Sequence, residues 1–375
     1  MELSTIPEPS TYCIALAGLA CGGFSMWRRR KCQYLGRSFT AAASFALAAT
    51  CLAITPSHAV TIEWSTIVSS TGNTPDPLTG YGSVDREYRI GKYEVTIGQY
   101  TEFLNAVDPG GTNPYSLYNN SMGTDGNIRG ILFSSGSASG QKYSPIGSPN
   151  RPITFVSWFD AARFANWMQN GQGSGSTETG AYALVGGQTS GAAPARNPGA
   201  QFYIPTENEW YKAAYYSPLL NSGSGGYYTY ATQSHTAPGN TIGDGANQAN
   251  YYAGDYSVTQ SSSFSSSQNY LTDVGAFTNS ASYYGTFDQS GNVWEWNDLT
   301  GAAGSSRGLR GGVWSSQPLN LSSSYRFPLV PSTGDDYIGF RLASPVAVPE
   351  PSTWVMGLAG IACAGWGVWR RRKRA

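Results

Sequence analysis

Cysteine and histidine are the residues this chain does without. All five cysteines of the 375-residue sequence (Cys13, Cys21, Cys32, Cys51 and Cys363) lie toward its two ends, and none falls between Val60 and Pro345. That stretch can therefore form no disulfide, no zinc–thiolate cluster and no cysteine nucleophile. The only histidines are His58 and His235. A Ser-His-Asp triad would have to use His235, and a three-histidine iron site cannot be assembled. In its Ser/Thr/Gly-rich setting His235 reads as a surface residue. Charged residues are scarce too, at 12% of the chain, and the formal net charge of zero hides an uneven distribution. Ten of the 23 Lys and Arg sit in two terminal clusters, Arg28–Arg37 and Arg370–Arg374, which leaves 13 basic and 20 acidic residues between Val60 and Pro345. An acidic region with dispersed charge argues against nucleic acid as a partner and is compatible with cation binding.

Long apolar runs are confined to the ends, where they form a repeat. Ile6–Lys31 matches Val348–Lys373 at 16 of 26 positions without a gap, each copy running from Pro-Glu-Pro through an apolar span to an arginine cluster. The span is about 18 residues, the low end for a membrane-crossing helix, and the arginines would hold it as a stop-transfer signal. Both copies resemble the PEP-CTERM sorting tail of exported bacterial proteins. The resemblance implies recognition by an exosortase and a transient membrane anchor at 348–375 that lasts until the tail is processed. Between the copies, Arg37–Ala59 reads as a signal peptide, with a basic flank, an apolar core and Ser57-His58-Ala59 as a small-x-small cleavage site. Met26 would open such a signal peptide in the ordinary way. The copy within residues 1–36 is therefore expected to be a start-site or gene-fusion artefact, and the mature chain to begin near Val60. The expected location is the cell envelope or the extracellular matrix.

Residues 60–345 are rich in Gly, Ser, Asn and Tyr, so loops should dominate around an aromatic core. Three helices are announced by a hydroxyl at N-cap and an acceptor three residues on. They are Thr96…Gln99, running to about Val107; Ser157…Asp160, to about Met168; and Thr206…Glu209, to about Tyr216. Pro109–Asn150 and Gly171–Gly199 read as loops, and Ser217–Ser282 as an ordered but irregular layer. Val293–Trp296, Leu309–Trp314 and Ile338–Leu342 read as strands. Arg310-Gly311-Gly312 marks a close backbone approach or a bulge.

The stretch Gly285–Trp296, GTFDQSGNVWEW, concentrates the most chemistry. It sets Asp288 and Glu295 around Gly291 and Asn292 and ends in Trp-Glu-Trp. Extended, the two indoles share one face and Glu295 takes the other. One reading is a strand end with core indoles and a solvated glutamate. The other is an oxygen-ligand loop for a hard cation such as Ca²⁺, with backbone carbonyls supplementing carboxylates.

Six segments in order then carry a second resemblance. They are Tyr93-Glu94-Val95-Thr96; Pro152-Ile153 with Val156-Ser157-Trp158; Ile204-Pro205-Thr206-Glu207 with Glu209-Trp210; Gly291–Trp296; Arg310-Gly311-Gly312 with Trp314; and Gly339-Phe340-Arg341. Together they resemble the formylglycine-generating, or sulfatase-modifying factor, family over about Ile90–Ala343. The resemblance implies an α+β single domain of low regular secondary structure, related to the C-type lectin fold. It also implies calcium ligands at Asp288 and Glu295 (side chains) and at Gly291 and Val293 (carbonyls). A second calcium site would begin at the Asn250 side chain and the Tyr251 carbonyl, its other ligands falling in the Ser-rich stretch Ser261–Asn269.

The family's oxidase binds copper through two cysteines shortly after its Gly-Gly-Ser motif. Here Val313 stands at the serine, and the following segments, Trp314-Ser315-Ser316 and Leu321–Arg326, contain no cysteine. Serine hydroxyls do not replace soft thiolates for Cu(I). The expectation is thus a calcium-stabilised binding or structural module without formylglycine-generating activity or copper, whose partners beyond the exosortase would be an exopolysaccharide or a surface protein. The alternative is an oxidoreductase-like enzyme with altered chemistry, using Trp294, Ser315, Ser316, Tyr325 and Arg326. For Arg326 and Arg341, structural pairing with buried carboxylates is the expectation.

Overall fold

Three reciprocal caps set the helices. In the computed structural model, which describes residues 59–69 and 73–346, Thr96, Ser157 and Thr206 each take extended backbone at N-cap. Each hydroxyl accepts the amide three residues on, and the side chain there (Gln99, Asp160, Glu209) accepts the N-cap amide in return. Two otherwise orphaned donors are satisfied per helix, which is why these short segments start where they do. The N-terminal repeat copy, the leader and the C-terminal sorting segment lie outside the described residues. Among the described residues no helix is long and apolar enough to cross a membrane.

Strands β1 (Trp64–Ile67) and β2 (Tyr88–Gly91) pair antiparallel before helix α1 (Ile97–Val107). A single turn, α2 (Ser121–Thr124), and the hairpin β3 (Ile131–Phe133) and β4 (Tyr143–Pro145) follow, in a segment the sequence reads as loop. Three-residue strands are too short to show alternation; ring contacts of Phe133 and Tyr118 with Tyr143, at 5.4 and 5.3 Å, hold them. Helix α3 (Trp158–Gln169) is buried from Trp158 to Met168, and α4 (Glu207–Tyr215) is nearly so. The Ser217–Ser282 region is irregular, beginning with the two-residue strands β5 (Tyr216–Ser217) and β6 (Gly226–Tyr227) and continuing in isolated bridges.

The last third supplies β7 (Trp294–Asn297), β8 (Arg307–Arg310), β9 (Phe327–Leu329), β10 (Ile338–Gly339) and β11 (Ala343–Pro345). They form a sheet in the order β10-β7-β8-β9, while β11 returns to the first sheet as β1-β2-β11. The strand expected over Leu309–Trp314 stops at Arg310, because Gly311 and Gly312 take φ of 101° and 82°, outside extended backbone. Ile338–Leu342 likewise divides, Ile338 and Gly339 pairing with β7 and the chain then crossing to β2.

Around these elements Tyr100, Phe103, Phe164, Trp167 and Phe340 form one aromatic cluster at centroid distances of 5.3–6.2 Å. The result is an α+β domain with little regular structure whose rigidity comes from ring packing and buried ion pairs.

Candidate functional site

The loop ahead of β7 owes its shape to left-handed backbone. Asp288, Gly291 and Asn292 have φ of 62°, 96° and 63°, a region open to Gly and tolerated by Asp and Asn. At Gly291 a Cβ would sit 2.1 Å from the Asn250 carbonyl oxygen, so only glycine lets the two backbone segments touch there. The Asn292 amide donates to that same carbonyl at 2.9 Å, and the Asn250 side chain donates to the Tyr270 carbonyl and to Asn292 Oδ1. The structure thus brings Asn250, expected at a separate site, against the Gly291 turn. Tyr251 turns its hydroxyl to the Pro238 carbonyl, and its own carbonyl accepts from Ser257 Oγ at 3.3 Å. Ser261–Ser267 lies largely exposed.

Glu295 is fully buried, so the reading of a solvated glutamate is overturned. Its Oε2 accepts from Arg341 Nε at 2.5 Å and from Trp210 Nε1 at 2.8 Å, and its Oε1 from Arg341 Nη2 at 2.6 Å. Arg341 also donates to the carbonyls of Gly91, Lys92 and Phe287, joining the end of β2 to the loop. Trp296 packs in the core and donates its indole N–H to the Val156 carbonyl, while Trp294 stacks on Tyr325 at 5.7 Å.

Glu94 is a buried carboxylate of this loop cluster that sequence reasoning did not place there. It is buried between Tyr93 and Val95, its Oε1 meets only a long contact from Asn292 Nδ2, and its Oε2 has no hydrogen-bond partner. Burial, then the carboxylates of Asp288 and Glu295, push its carboxyl well above the usual range, while Arg341 opposes them. Burial likewise raises Asp288 to about 6, opposed by the Gly275 amide, which donates to Asp288 Oδ2 at 2.6 Å. A lone carboxylate between Tyr93 and the buried Val95 was the available signal, and nothing in the spacing links position 94 to position 288.

Among the described residues no three His, Cys, Asp or Glu side chains converge as a ready-made metal cluster. Glu295 spends both oxygens on Arg341 instead. The donors that remain, Glu94 with its orphan oxygen, Asp288, and the Gly291 and Val293 carbonyls, are all hard oxygens. Their chemistry fits a hard cation such as Ca²⁺ and does not fit a soft one.

The sulfatase-modifying factor enzyme 1-like domain matches residues 67–346. The chain belongs to the sulfatase-modifying factor family. The PEP-CTERM protein-sorting motif matches residues 5–31 and 347–373, so both copies of the repeat carry it and the chain bears an exosortase sorting signal for export to the cell envelope. No curated protein matches in sequence. Similar solved structures include Treponema denticola variable protein 1, at 18% identity and TM-score 0.46, covering 77% of this chain and 97% of that one. CarF is similar at 21% identity and TM-score 0.45, covering 77% and 100%, as is PvdO from Pseudomonas aeruginosa at 20% and 0.38, covering 76% and 93%.

In this sulfatase-modifying factor domain the segment after Gly311-Gly312 is occupied by intramolecular contacts. Trp314 stacks on Tyr270 at 4.7 Å and 6°, and Ser316 Oγ accepts the Val313 amide. Leu321 is buried against Gly312, while Ser315 is exposed. Arg326 makes two bonds to Glu207, at 2.7 and 2.9 Å, and Arg310 donates to the same carboxylate and to the Ser323 and Tyr325 carbonyls. Both Arg326 and Arg341 thus pair with buried carboxylates. His235 is exposed.

Proposed function

We propose that this chain is an exported binding or structural module built on a sulfatase-modifying factor scaffold, without formylglycine-generating oxidase activity and stabilised by calcium. The observation that carries the first half is chemical. From Val60 to Pro345 the chain has no thiol, and Ser316, Arg326 and the Ser323 and Tyr325 carbonyls are committed to bonds within the domain. Copper(I) binding and oxygen activation need soft ligands that hydroxyls do not supply. The loops rich in Tyr, Ser, Asn and Gly offer the residue types that adaptable binding surfaces use, and an exopolysaccharide or a surface protein is the partner class they suit.

Calcium would be held by Asp288, Glu94 and the Gly291 and Val293 carbonyls, with Glu295 joining only by giving up a bond to Arg341. Bound there, the ion would supply charge neutralisation to a buried group of carboxylates that Arg341 alone does not balance. Its role is structural. The Asn250 side chain and Tyr251 carbonyl belong to a second, separate calcium reading, which the contact between Asn250 and Gly291 ties to the same turn.

Aerobic incubation with copper and a cysteine-bearing sulfatase peptide tests the absence of oxidase activity. The peptide mass should stay unchanged; conversion of its cysteine to formylglycine overturns the reading. A glycan array probed with calcium-loaded protein tests the binding module, and the absence of any bound polysaccharide removes that partner class.

A further inference from the structure

A cavity of about 430 Å³ opens beside Pro345, the last residue of β11, lined by Arg86, Arg196, Tyr203 and the turn from Asn197 to Gln201. No acidic side chain lines it. Glu209 lies beneath it, buried, and is already crowded with donors. Arg86 pairs with Oε1, Tyr203 OH donates to the same oxygen at 3.0 Å, and the Thr206 amide and hydroxyl both reach Oε2 at 2.8 Å. Arg196 stands 4.0 Å from Oε2, too far for a hydrogen bond, and its guanidinium rests 3.8 Å over the Tyr203 ring. Its Nη1, the atom turned toward Glu209, is closed off from solvent and makes no hydrogen bond. Two guanidiniums therefore share one carboxylate whose oxygens are taken, and the cavity keeps one uncompensated positive charge in a domain with an excess of acidic residues. The side chains of Arg86 and Arg196 stay 52% and 25% exposed, so their outward N–H groups are open to an incoming carboxylate, the partner that pairs best with a guanidinium.

The chain itself carries such a carboxylate close by. Glu350, in Pro349-Glu350-Pro351, follows Pro345 by five residues, and the four between them are uncharged. Five residues reach at most about 17 Å, so the tether keeps Glu350 near the cavity mouth at a high effective concentration. The flanking prolines lower the entropy lost on docking. We propose that the Arg86–Arg196 cavity binds the Glu350 carboxylate and docks the Pro-Glu-Pro of the sorting motif onto the folded domain. The motif is then in equilibrium between a domain-bound form and a free form, and the sorting machinery competes with Arg86 and Arg196 for it.

The test is elastase cleavage of the full chain in detergent micelles, with mass spectrometry following cuts after Val346 and Ala347. Docking predicts that Glu350→Gln raises the cleavage rate roughly twofold to fivefold, the range of a partly exposed ion pair. Arg86→Gln should raise it by a similar factor, and the double variant by no more than either single one. Glu350 lies beyond residues 67–346, which the family domain spans, and the melting temperature of each variant controls for effects on folding. Equal rates in wild type and Glu350→Gln overturn the proposal. So does an effect of Glu350→Gln that Arg86→Gln fails to reproduce. Release by Glu8→Gln instead assigns the cavity to the N-terminal copy, and protection that rises with protein concentration assigns it to a second chain; either result also overturns docking in cis.

Discussion

Glu295 and Arg341 face each other through two hydrogen bonds of 2.5 and 2.6 Å, with neither side chain exposed to solvent. They join β7, the end of β2 and the loop around Asp288, since Arg341 also holds the Gly91 and Phe287 carbonyls. Desolvating both charges is costly, and the remaining donors and acceptors around them offset that cost.

Removing one partner leaves the other buried and uncompensated. Glu295→Gln or Arg341→Met should each destabilise the domain by roughly 3–5 kcal/mol, read by urea unfolding. The double variant should lose less than the sum of the two. Single losses below about 1 kcal/mol would show that solvent reaches the pair.

Calcium should raise the melting temperature in proportion to the logarithm of its concentration, as for any ligand that binds only the folded state. At one hundred times its dissociation constant the stabilisation is about 2.7 kcal/mol. Glu94→Gln and Asp288→Asn should shrink the shift, and chelator should abolish it. Elemental analysis finding no bound calcium, with identical melting in calcium and chelator, removes the ion from this site.

Gly291→Ala is expected to be among the most damaging small substitutions. It places a Cβ against the Asn250 carbonyl at a φ of 96°. The clash and the left-handed backbone together should cost more than about 2 kcal/mol, seen as a lowered denaturation midpoint. Gly136→Ala, where a Cβ meets nothing within 4 Å, is the matched control and should change little.

Asp160, buried at the start of α3, has its carboxyl raised by burial to about 6, with the Ser157 amide and hydroxyl opposing the shift. The unfolded chain titrates it near 3.9, so between these values the folded state binds more protons than the unfolded one. Its contribution is fully present below about pH 4 and is lost as pH rises through about 6. Unfolding measured from pH 4 to 7 in wild type and Asp160→Asn should give a difference that falls with rising pH. A difference that is flat or rises defeats this reading.

Much of the fold was legible because its signals are local. Thr96, Ser157 and Thr206 each declare a helix start through a partner three residues away, and such reciprocal caps survive any tertiary setting. Gly311-Gly312 announced a close backbone approach or a bulge within a strand over Leu309–Trp314, whereas the strand stops at Arg310 because both glycines take positive φ. The hairpin of β3 and β4 left no periodic trace, since three residues cannot show one, and it exists because Phe133 and Tyr118 pack on Tyr143.

By itself the sequence determined what this protein has to work with. It has no thiol in the folded region, a lone histidine there, an acidic excess, a sorting motif at each end and six ordered motifs of one family. These follow from residue identity alone. Only the tertiary structure decided what Glu295 does with its charge, because Arg341, 46 positions away, reaches it through the crossing from β10 to β11. The same holds for Glu94, whose unpartnered oxygen acquires meaning only beside Asp288, and for Arg86 and Arg196, which meet over Glu209. Electrostatics acts through distance in space, and distance along the chain does not encode it.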